Sequence, residues 1–527
     1  MNKYTIIVCD TIHECGLKLL KSTQDINYVY AADVDKNKLL DLIKDADVAI
    51  TRSSTTVDEN FLNHAIKLKC LIRAGVGYDN VDLQGCSKRG IIAMNIPTAN
   101  TIAAVELTIT HILSAIRKFP FAHSQLKSNR IWKREDWYGT ELYGKRLGVI
   151  GFGNIGHRVA LRAKSFEMDV IAYDPYIPST KMTDLNIEHT NNFNDILKCD
   201  IITIHTPKNK ETINIIDEKE IEKMKDGVVL INCARGGLYN EKALYKYLKS
   251  GKISIAGIDV FETEPANNNK LLELDNIIVT AHLGANTKES QEKISLQAAQ
   301  NAIQSARKIS YPNALNLPID ESKIPSFVKP YIQLIQKMSF LVAQIDKSEI
   351  KSIYITAQGD IGSYLESLST FACVGSLSLA CSDEINYVNA SYIAKEKGII
   401  IDTKSISNTS AYKNKISIKI TTSNGVNTIS GTIFNEDVQR IVEINGYEFD
   451  IEPKGNMILF RNSDIPGVVG KFGQILGESN INISDFRLSR KKDSALAVII
   501  IDEHISNSLL DKLSKLEASI SVAYAQI

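Results

Sequence analysis

Gly151-Phe152-Gly153-Asn154-Ile155-Gly156 follows the apolar run Leu147-Gly148-Val149-Ile150 and leads into a helical pattern from His157. A G-x-G-x-x-G stretch is a weak signal alone, but between a strand and a helix it marks a dinucleotide-binding turn. The glycines permit a tight turn and close backbone approach to a pyrophosphate, and the helix N-terminus faces the negative charge. Asp174 ends the next apolar run, about 20 residues on, where a carboxylate accepts hydrogen bonds from the adenosine ribose. A carboxylate there repels a 2′-phosphate, so the reading favours NAD over NADP. Only a basic side chain swinging close, Lys181 or Arg158, would admit NADP.

Working outward, the strand before this turn opens a series of six. The others are Val170–Tyr173, Ile201–Ile204, Val228–Ile231, Ile255–Ile258 and Ile277–Thr280, each separated by helical patterns. Six such strands predict a doubly wound parallel sheet. The first hundred residues show the same alternation around Ile6–Val8, Val48–Ile50, Leu71–Ile72 and Ile91–Ala93, which predicts a second parallel-sheet domain. Between the two lies a helical stripe at Val105, Ile109, Ile112, Leu113 and Ile116, with Asn100 or Thr101 as its cap. Pro312, Pro318, Pro325 and Pro330 read as a linker leaving the α/β region. From about Pro330 to Pro453 the chain is Ser/Gly-rich with β-branched runs and reads as an α+β module. The remainder reads strand–helix–strand–strand–helix–strand.

The chain has 527 residues, enough for about three or four domains. Its 61 Lys+Arg balance 61 Asp+Glu, which leaves no electrostatic footprint for nucleic acid or an anionic membrane. The eight cysteines (Cys9, Cys15, Cys70, Cys86, Cys199, Cys233, Cys373 and Cys381) form no C-x-x-C pair and no zinc spacing, so no metal is expected. They read as reduced thiols of a cytoplasmic protein. Cys233 is expected to line the cofactor rather than to sense redox state. The N-terminus reads as a strand rather than a targeting segment, and no apolar run is long enough to span a bilayer.

Three polar residues follow strands of the second series, at the end of the sheet where such folds bind ligands. Arg235 lies in Asn232–Gly237, Glu264 in Asp259–Pro265 and His282 in His282–Thr287. Oxidation of a 2-hydroxy acid uses such a set. A guanidinium fork fixes the carboxylate and carbonyl. An imidazole moves the hydroxyl proton. A carboxylate beside the imidazole orients it and stabilises its charged form.

With these segments and Gly151–Gly156, the chain resembles the D-isomer-specific 2-hydroxyacid dehydrogenases, most closely their long members with two added C-terminal modules. The resemblance extends over essentially the whole chain. It implies that Arg235, Glu264 and His282 are catalytic. It implies that the cofactor NAD meets Gly151, Gly153, Asn154, Ile155, Gly156, Asp174, Thr206, Pro207, Cys233, Ala234, Asp259, His282 and Gly284. Arg73–Asp82 resembles the family's substrate loop, and Thr51–Ser54 the segment that meets the anionic end of the substrate. The implied substrate ligands are Arg52, Ser53, Gly75, Val76, Gly77, Asn100, Arg235 and His282. Asn100-Thr101 followed by Val105-Glu106-Leu107 resembles the start of a dimerising helix. Ile131–Arg134 resembles a loop reaching the neighbouring subunit, with Lys133 and Arg134 as weaker phosphate candidates.

Residues 327–453 resemble an intervening anion-binding regulatory domain, and residues 455–527 a ferredoxin-like ACT domain. The implied domain limits are 1–98 plus 284–312 for substrate and 99–283 for NAD. The turn Ser463–Val469 and the stretch Asn480–Ile483 imply that Asn462, Asp464 and Asn482 bind an L-serine effector. In the family a basic residue often precedes this Pro-Gly; Ile465 stands there. The implied activity is NAD-dependent oxidation of 3-phospho-D-glycerate to 3-phosphohydroxypyruvate, entering L-serine biosynthesis, by a homo-oligomer (dimer or tetramer). Two other readings stay open: a dehydrogenase of 2-hydroxyglutarate, glycerate or glyoxylate, and a non-enzymatic NAD-sensing protein.

Overall fold

The computed structural model describes residues 4–317, 324–379, 385–407, 411–435 and 437–527; Pro318 and Cys381 lie outside the described residues. Four sheets follow one another along the chain.

The first holds β1 (Tyr4–Val8), β2 (Ile26–Tyr30), β3 (Val48–Thr51), β4 (Cys70–Arg73) and β5 (Ile92–Asn95), parallel in the order β2-β1-β3-β4-β5. The sequence reading missed β2. As an edge strand it buries fully only Ile26, so it lacks the apolar run of a central strand. The helix Lys288–Ala306 returns to this sheet and packs through Ile294, Ala298, Ala299 and Ala302. It lies so close to the helix Glu14–Ser22 that a Cβ on Gly16 would sit 2.6 Å from the Ser295 carbonyl oxygen.

The second sheet holds β6 (Arg146–Ile150), β7 (Asp169–Tyr173), β8 (Glu188–His189), β9 (Ile201–Ile204), β10 (Val228–Asn232), β11 (Ile253–Ile258) and β12 (Ile277–Val279). All are parallel, in the order β12-β11-β10-β9-β6-β7-β8. The six expected strands are present, and the two-residue β8 is added at the edge. Strand order reverses between β6 and β9, which opens a crevice beyond their carboxyl ends. The helix Thr101–Arg117 packs on this sheet through Val105, Ile112 and Ile116. Asn100 occupies its N-cap position, but its side chain makes no cap bond.

The third sheet holds β13 (Ile350–Gln358), β14 (Ile400–Ile406), β15 (Lys415–Thr422), β16 (Val426–Phe434), β17 (Val438–Ile444) and β18 (Tyr447–Ile451), in the order β14-β13-β15-β16-β17-β18. β13 and β14 are parallel; the other pairs are antiparallel. Its core includes the helices Val328–Ile345 and Leu365–Leu377. The expected linker is corrected at both ends. Leu315 N donates to Ala93 O at 2.7 Å and Asn316 Oδ1 accepts from Ala93 N at 2.9 Å, so the chain still lies along the first sheet there. Pro330 lies in the first turn of the helix Val328–Ile345, where a missing N–H costs nothing.

The fourth sheet holds β19 (Asn456–Ser463), β20 (Ile483–Lys491), β21 (Ser494–Ile501) and β22 (Ser519–Gln526), antiparallel in the order β20-β21-β19-β22. Helices Val468–Glu478 and Asn507–Ser514 cover one face. Met457, Leu459, Val498, Ile500 and Ala525 on the other face share a core with the helix Val328–Ile345. The fourth sheet thus has a core of its own on its helix-covered face and shares the core of the third module on the other. Among the described residues no helix is long and apolar enough to cross a membrane, and no group of side chains has the makings of a metal site.

Candidate active site

The chemistry gathers in a cavity of about 350 Å³ lined by residues of the first and second sheets and by the start of the helix Lys288–Ala306. Arg52, Ser53, Gly75, Val76, Gly77, Asn100, Arg235, Glu264 and His282 all line it. The structure thus brings together residues more than 200 positions apart in sequence.

His282 and Glu264 are paired in it, with His282 Nδ1 2.7 Å from Glu264 Oε2. The other oxygen of Glu264 accepts from Phe261 N at 3.0 Å. Burial alone raises this carboxyl. The hydrogen bonds from His282 and Phe261 N and the nearby positive charges outweigh it, and the group lies below its ordinary value. The acid beside the imidazole is therefore a carboxylate. His282 sits at φ 53°, a left-handed conformation uncommon for a side chain of this size. Its loop is wrapped around Asp259: His282 N donates to Asp259 O at 2.8 Å, Leu283 N to Oδ1 at 2.7 Å and Gly284 N to Oδ2 at 3.0 Å.

Arg235 is fixed from two sides. Its Nε donates to Asp79 Oδ2 at 3.0 Å and its Nη1 to Ala234 O at 2.7 Å. The Asn232 side chain ties the turn, donating to Arg235 O and accepting from Ala234 N. The glycines of Gly75-Val76-Gly77 make room for two guanidinium groups. A Cβ on Gly77 would lie 2.0 Å from Arg235 Nη2, and one on Gly75 would lie 1.8 Å from Arg73 Nη1. Asn95 Nδ2 donates to Val76 O at 2.7 Å and holds that loop.

Arg73 and Asp79 belong to the loop the sequence reading singled out, but not to its expected ligands. The missed signal was positional: Thr51 pairs with Arg73 across β3 and β4, so Arg52 and Arg73 emerge side by side at the sheet's carboxyl edge. Burial, together with the charges of Arg235 and Arg52, pushes Arg73 down to about 10, and its buried Nε has no hydrogen-bond partner. Arg52 is lowered by burial, with Asp10 opposing. Its backbone N donates to Asp10 Oδ2 and its Nη1 to Thr11 O. Asn100 Oδ1 is also buried and unpaired, which fits a ligand group better than a helix cap. Asn286 and Gln291 line the cavity and were also missed.

The glycine turn has the form a dinucleotide requires. Gly151 has φ +88°, and a Cβ there would strike the His205 backbone at 2.8 Å. A Cβ on Gly156 would lie 1.9 Å from Gly151 O, so the helix Gly156–Ser165 starts against the turn itself. A Cβ on Gly153 would meet nothing within 4 Å, which leaves that side open for close approach. Asp174 orders the turn by accepting from Phe152 N at 2.8 Å and from Tyr176 N at 2.9 Å. Thr206 Oγ1 is buried without a partner beside it. These residues fit a dinucleotide. Cys233 is buried, and burial pushes its thiol up, which removes it as a thiolate. Burial likewise lowers His205 to about 3.

The three expected effector residues are not together in one chain. Asn462 is buried, with Nδ2 donating to Ser463 O, and the Asp464 carboxylate lies 3.4 Å from Arg490 Nε. Asn482 adjoins Ile483, which pairs with Ile501 at the opposite end of the sheet, and its amide donates to Asp502 Oδ2 at 2.6 Å.

Known proteins resemble this chain over its length. Residues 109–284 match the NAD binding domain of the D-isomer specific 2-hydroxyacid dehydrogenases, 327–445 the D-3-phosphoglycerate dehydrogenase intervening domain and 456–518 the ACT domain. The chain is 36% identical over 523 residues to a D-3-phosphoglycerate dehydrogenase of Bacillus subtilis, covering 98% of this chain and 99% of that one. It is 37% identical to one of Methanocaldococcus jannaschii, covering 97% of each. Among solved structures, D-lactate dehydrogenase from Aquifex aeolicus complexed with NAD and lactic acid is 29% identical with a TM-score of 0.53, covering 58% of this chain and 96% of that one. By likeness over its full length and through all three matched segments, the chain belongs to the D-3-phosphoglycerate dehydrogenases.

Proposed function

We propose that the chain oxidises 3-phospho-D-glycerate to 3-phosphohydroxypyruvate with NAD, the entry step to serine. The observation that carries this reading is the charge of the cavity. Three guanidinium groups, Arg52, Arg73 and Arg235, face one space whose lining supplies only two carboxylates, Asp79 and Glu264, each already engaged. A substrate with a single carboxylate can engage Arg235 but leaves Arg52 and Arg73, side by side at the first sheet's edge, without a ligand. One with a carboxylate at one end and a phosphate at the other engages all three. This disfavours glycerate and glyoxylate; 2-hydroxyglutarate, anionic at both ends, is disfavoured by the full-length relatives named D-3-phosphoglycerate dehydrogenase, which also favour an enzyme over a sensor.

The glycine turn, Asp174, Thr206 and Asp259 would hold NAD, which supplies the hydride acceptor when bound. Arg235 orients the substrate carboxylate and 2-hydroxyl through the donors that Asp79 and Ala234 leave free. His282 takes the hydroxyl proton at Nε2, because Nδ1 faces Glu264. Glu264 stabilises the resulting imidazolium. Arg52 and Arg73 hold the phosphate. Purified protein with NAD, 3-phosphoglycerate and a trap for the oxo product tests the reading: absence of NADH formation refutes it.

Arg52→Ala should lose about 10–100-fold in kcat/KM on 3-phosphoglycerate, the worth of one charge-assisted hydrogen bond of about 1.5–3 kcal/mol. Turnover of unphosphorylated D-glycerate should stay near its starting value. Equal loss on both substrates assigns Arg52 to the common carboxylate end.

The supported assembly is a homo-oligomer, since Phe119, Trp132 and Tyr138 are exposed in the segment after the helix Thr101–Arg117. Pairing of two C-terminal sheets would bring Asp464 of one chain toward Asn482 of the other, and L-serine is the effector proposed for that site. Calorimetry with serine must use the full chain, because the sheet's second face is part of a shared core. Asp464→Ala should abolish both the heat of binding and the inhibition. Inhibition that survives Asp464→Ala moves the site elsewhere.

A further inference from the structure

We propose that His111 is a positioning residue of the active site, acting through Thr280 on Asp259 and so on the loop that carries His282. The inference rests on His282 being the proton carrier.

His111 lies in the helix Thr101–Arg117, outside the cavity, and is 2% exposed. Its Nε2 lies 2.9 Å from Thr280 Oγ1. Thr280 Oγ1 in turn donates to Asp259 Oδ1 at 2.6 Å. A hydroxyl has one proton, and here it is committed to a carboxylate, which accepts only. His111 must therefore donate from Nε2, which assigns the tautomer: Nε2–H, with Nδ1 bare.

The surroundings of Nδ1 support that assignment. Nδ1 is buried with no hydrogen-bond partner, and a Cβ on Gly257 would lie 2.9 Å from it. A protonated Nδ1 would be a buried donor facing nothing. Burial also lowers the ring, with the charge of Asp259 opposing. The imidazole is thus a neutral, one-way donor.

Asp259 is fully buried. It accepts from Thr280 Oγ1, Leu283 N and Gly284 N, while its carbonyl accepts from His282 N. Every backbone N–H from His282 to Gly284 thus ends on this one residue, and His282 is held there at φ 53°. Without a donor at His111, the Thr280 hydroxyl is free to turn away and Asp259 loses its shortest side-chain hydrogen bond. The loop then has fewer restraints against a relaxed backbone that would move the imidazole from Glu264. A misplacement of about 1 Å at a reacting group costs up to about 10²-fold. His111 thereby joins the helix that begins at Asn100, in the cavity wall, to the back of the proton-transfer loop.

The test compares four full-length variants under saturating NAD. His111→Leu removes the donor. His111→Gln returns an N–H near the Nε2 position. Thr280→Val breaks the next link, and His111→Leu/Thr280→Val breaks both. His111→Leu and Thr280→Val should each lower kcat about 10–100-fold with KM for 3-phosphoglycerate little changed. The double variant should be no worse than the poorer single one, because the residues form one chain. His111→Gln should recover most of kcat. The acid limb of the kcat/KM pH profile should move in His111→Leu and return in His111→Gln. Additive losses, no recovery in His111→Gln, or wild-type kcat in His111→Leu overturn the proposal. An inactive wild-type protein instead refutes the functional reading on which it rests.

Discussion

His282→Asn lowers kcat by about 10²–10⁴-fold and leaves NAD affinity intact, the range that one general acid–base group supplies. The asymmetry of the expected effect comes from where His282 sits. Its backbone N–H is bound by Asp259 O, an interaction that an asparagine backbone repeats. Its φ of 53° is one that asparagine tolerates better than most residues, so the loop should keep its course. What is lost is the titrating ring and its contact with Glu264 at 2.7 Å. Stopped-flow measurement of the single-turnover step separates this loss from product release. Binding titration by cofactor fluorescence checks that the dinucleotide site is unchanged. A variant that keeps near-normal kcat would remove His282 from the mechanism. A parallel fall in NAD affinity would mean that the loop had collapsed.

Glu264→Gln probes the same pair from the other side. The carboxylate is ionised and lies 2.7 Å from Nδ1, so its charge acts on the imidazolium at short range. Glutamine can keep a contact with Nδ1 but not the charge, so the loss should be smaller than in His282→Asn and should narrow at low pH, where protonation of Glu264 removes the same charge from the wild type.

The second sheet was legible because its strands are buried on both faces and read as unbroken apolar runs. The glycine turn was legible because close approaches at Gly151 and Gly156 exclude a Cβ and Gly153 keeps a side open. Edges were the first failure. β2 has Asn27 as its second residue and β8 has only two residues, and neither must be apolar. Proline was the second: Pro330 punctuates a sequence, but in the first turn of a helix it breaks nothing. Met457-Ile458-Leu459-Phe460 carried more information than its reading as a strand used. Four successive buried apolar residues imply that both faces are covered, and the helix Val328–Ile345 supplies the second cover.

In the site, the residues separated by recognisable motifs were found and those requiring a third dimension were not. Arg73 looks locally like any arginine ending a strand. What sets it apart is burial together with the charges of Arg235 from another sheet and Arg52 after the neighbouring strand. Nothing local marks His111, because its partner, Thr280, lies 169 residues away.

Arg235→Lys should lower kcat/KM for 3-phosphoglycerate by about 10²–10⁴-fold although it keeps the charge. That range corresponds to two charge-assisted hydrogen bonds of about 1.5–3 kcal/mol each. The guanidinium already spends Nε on Asp79 and one Nη1 proton on Ala234 O. Its remaining donors are coplanar and face the cavity, the geometry a carboxylate and an adjacent oxygen accept. A lysine ammonium has three donors on one atom. Reaching the substrate moves all three away from Asp79, and staying with Asp79 leaves the substrate unheld. Gly75 and Gly77 make matters worse, since the space they vacate is shaped for flat groups. Arg52 and Arg73 would still hold the phosphate, so the substrate should bind by one end and react rarely. That pattern is a fall in kcat with a smaller rise in KM, and it distinguishes lost orientation from lost affinity. The dinucleotide turn shares no side chain with Arg235, so NAD affinity should hold. An equal fall in cofactor affinity would make Arg235 a cofactor ligand. Unchanged kcat/KM would show that charge alone suffices at this position.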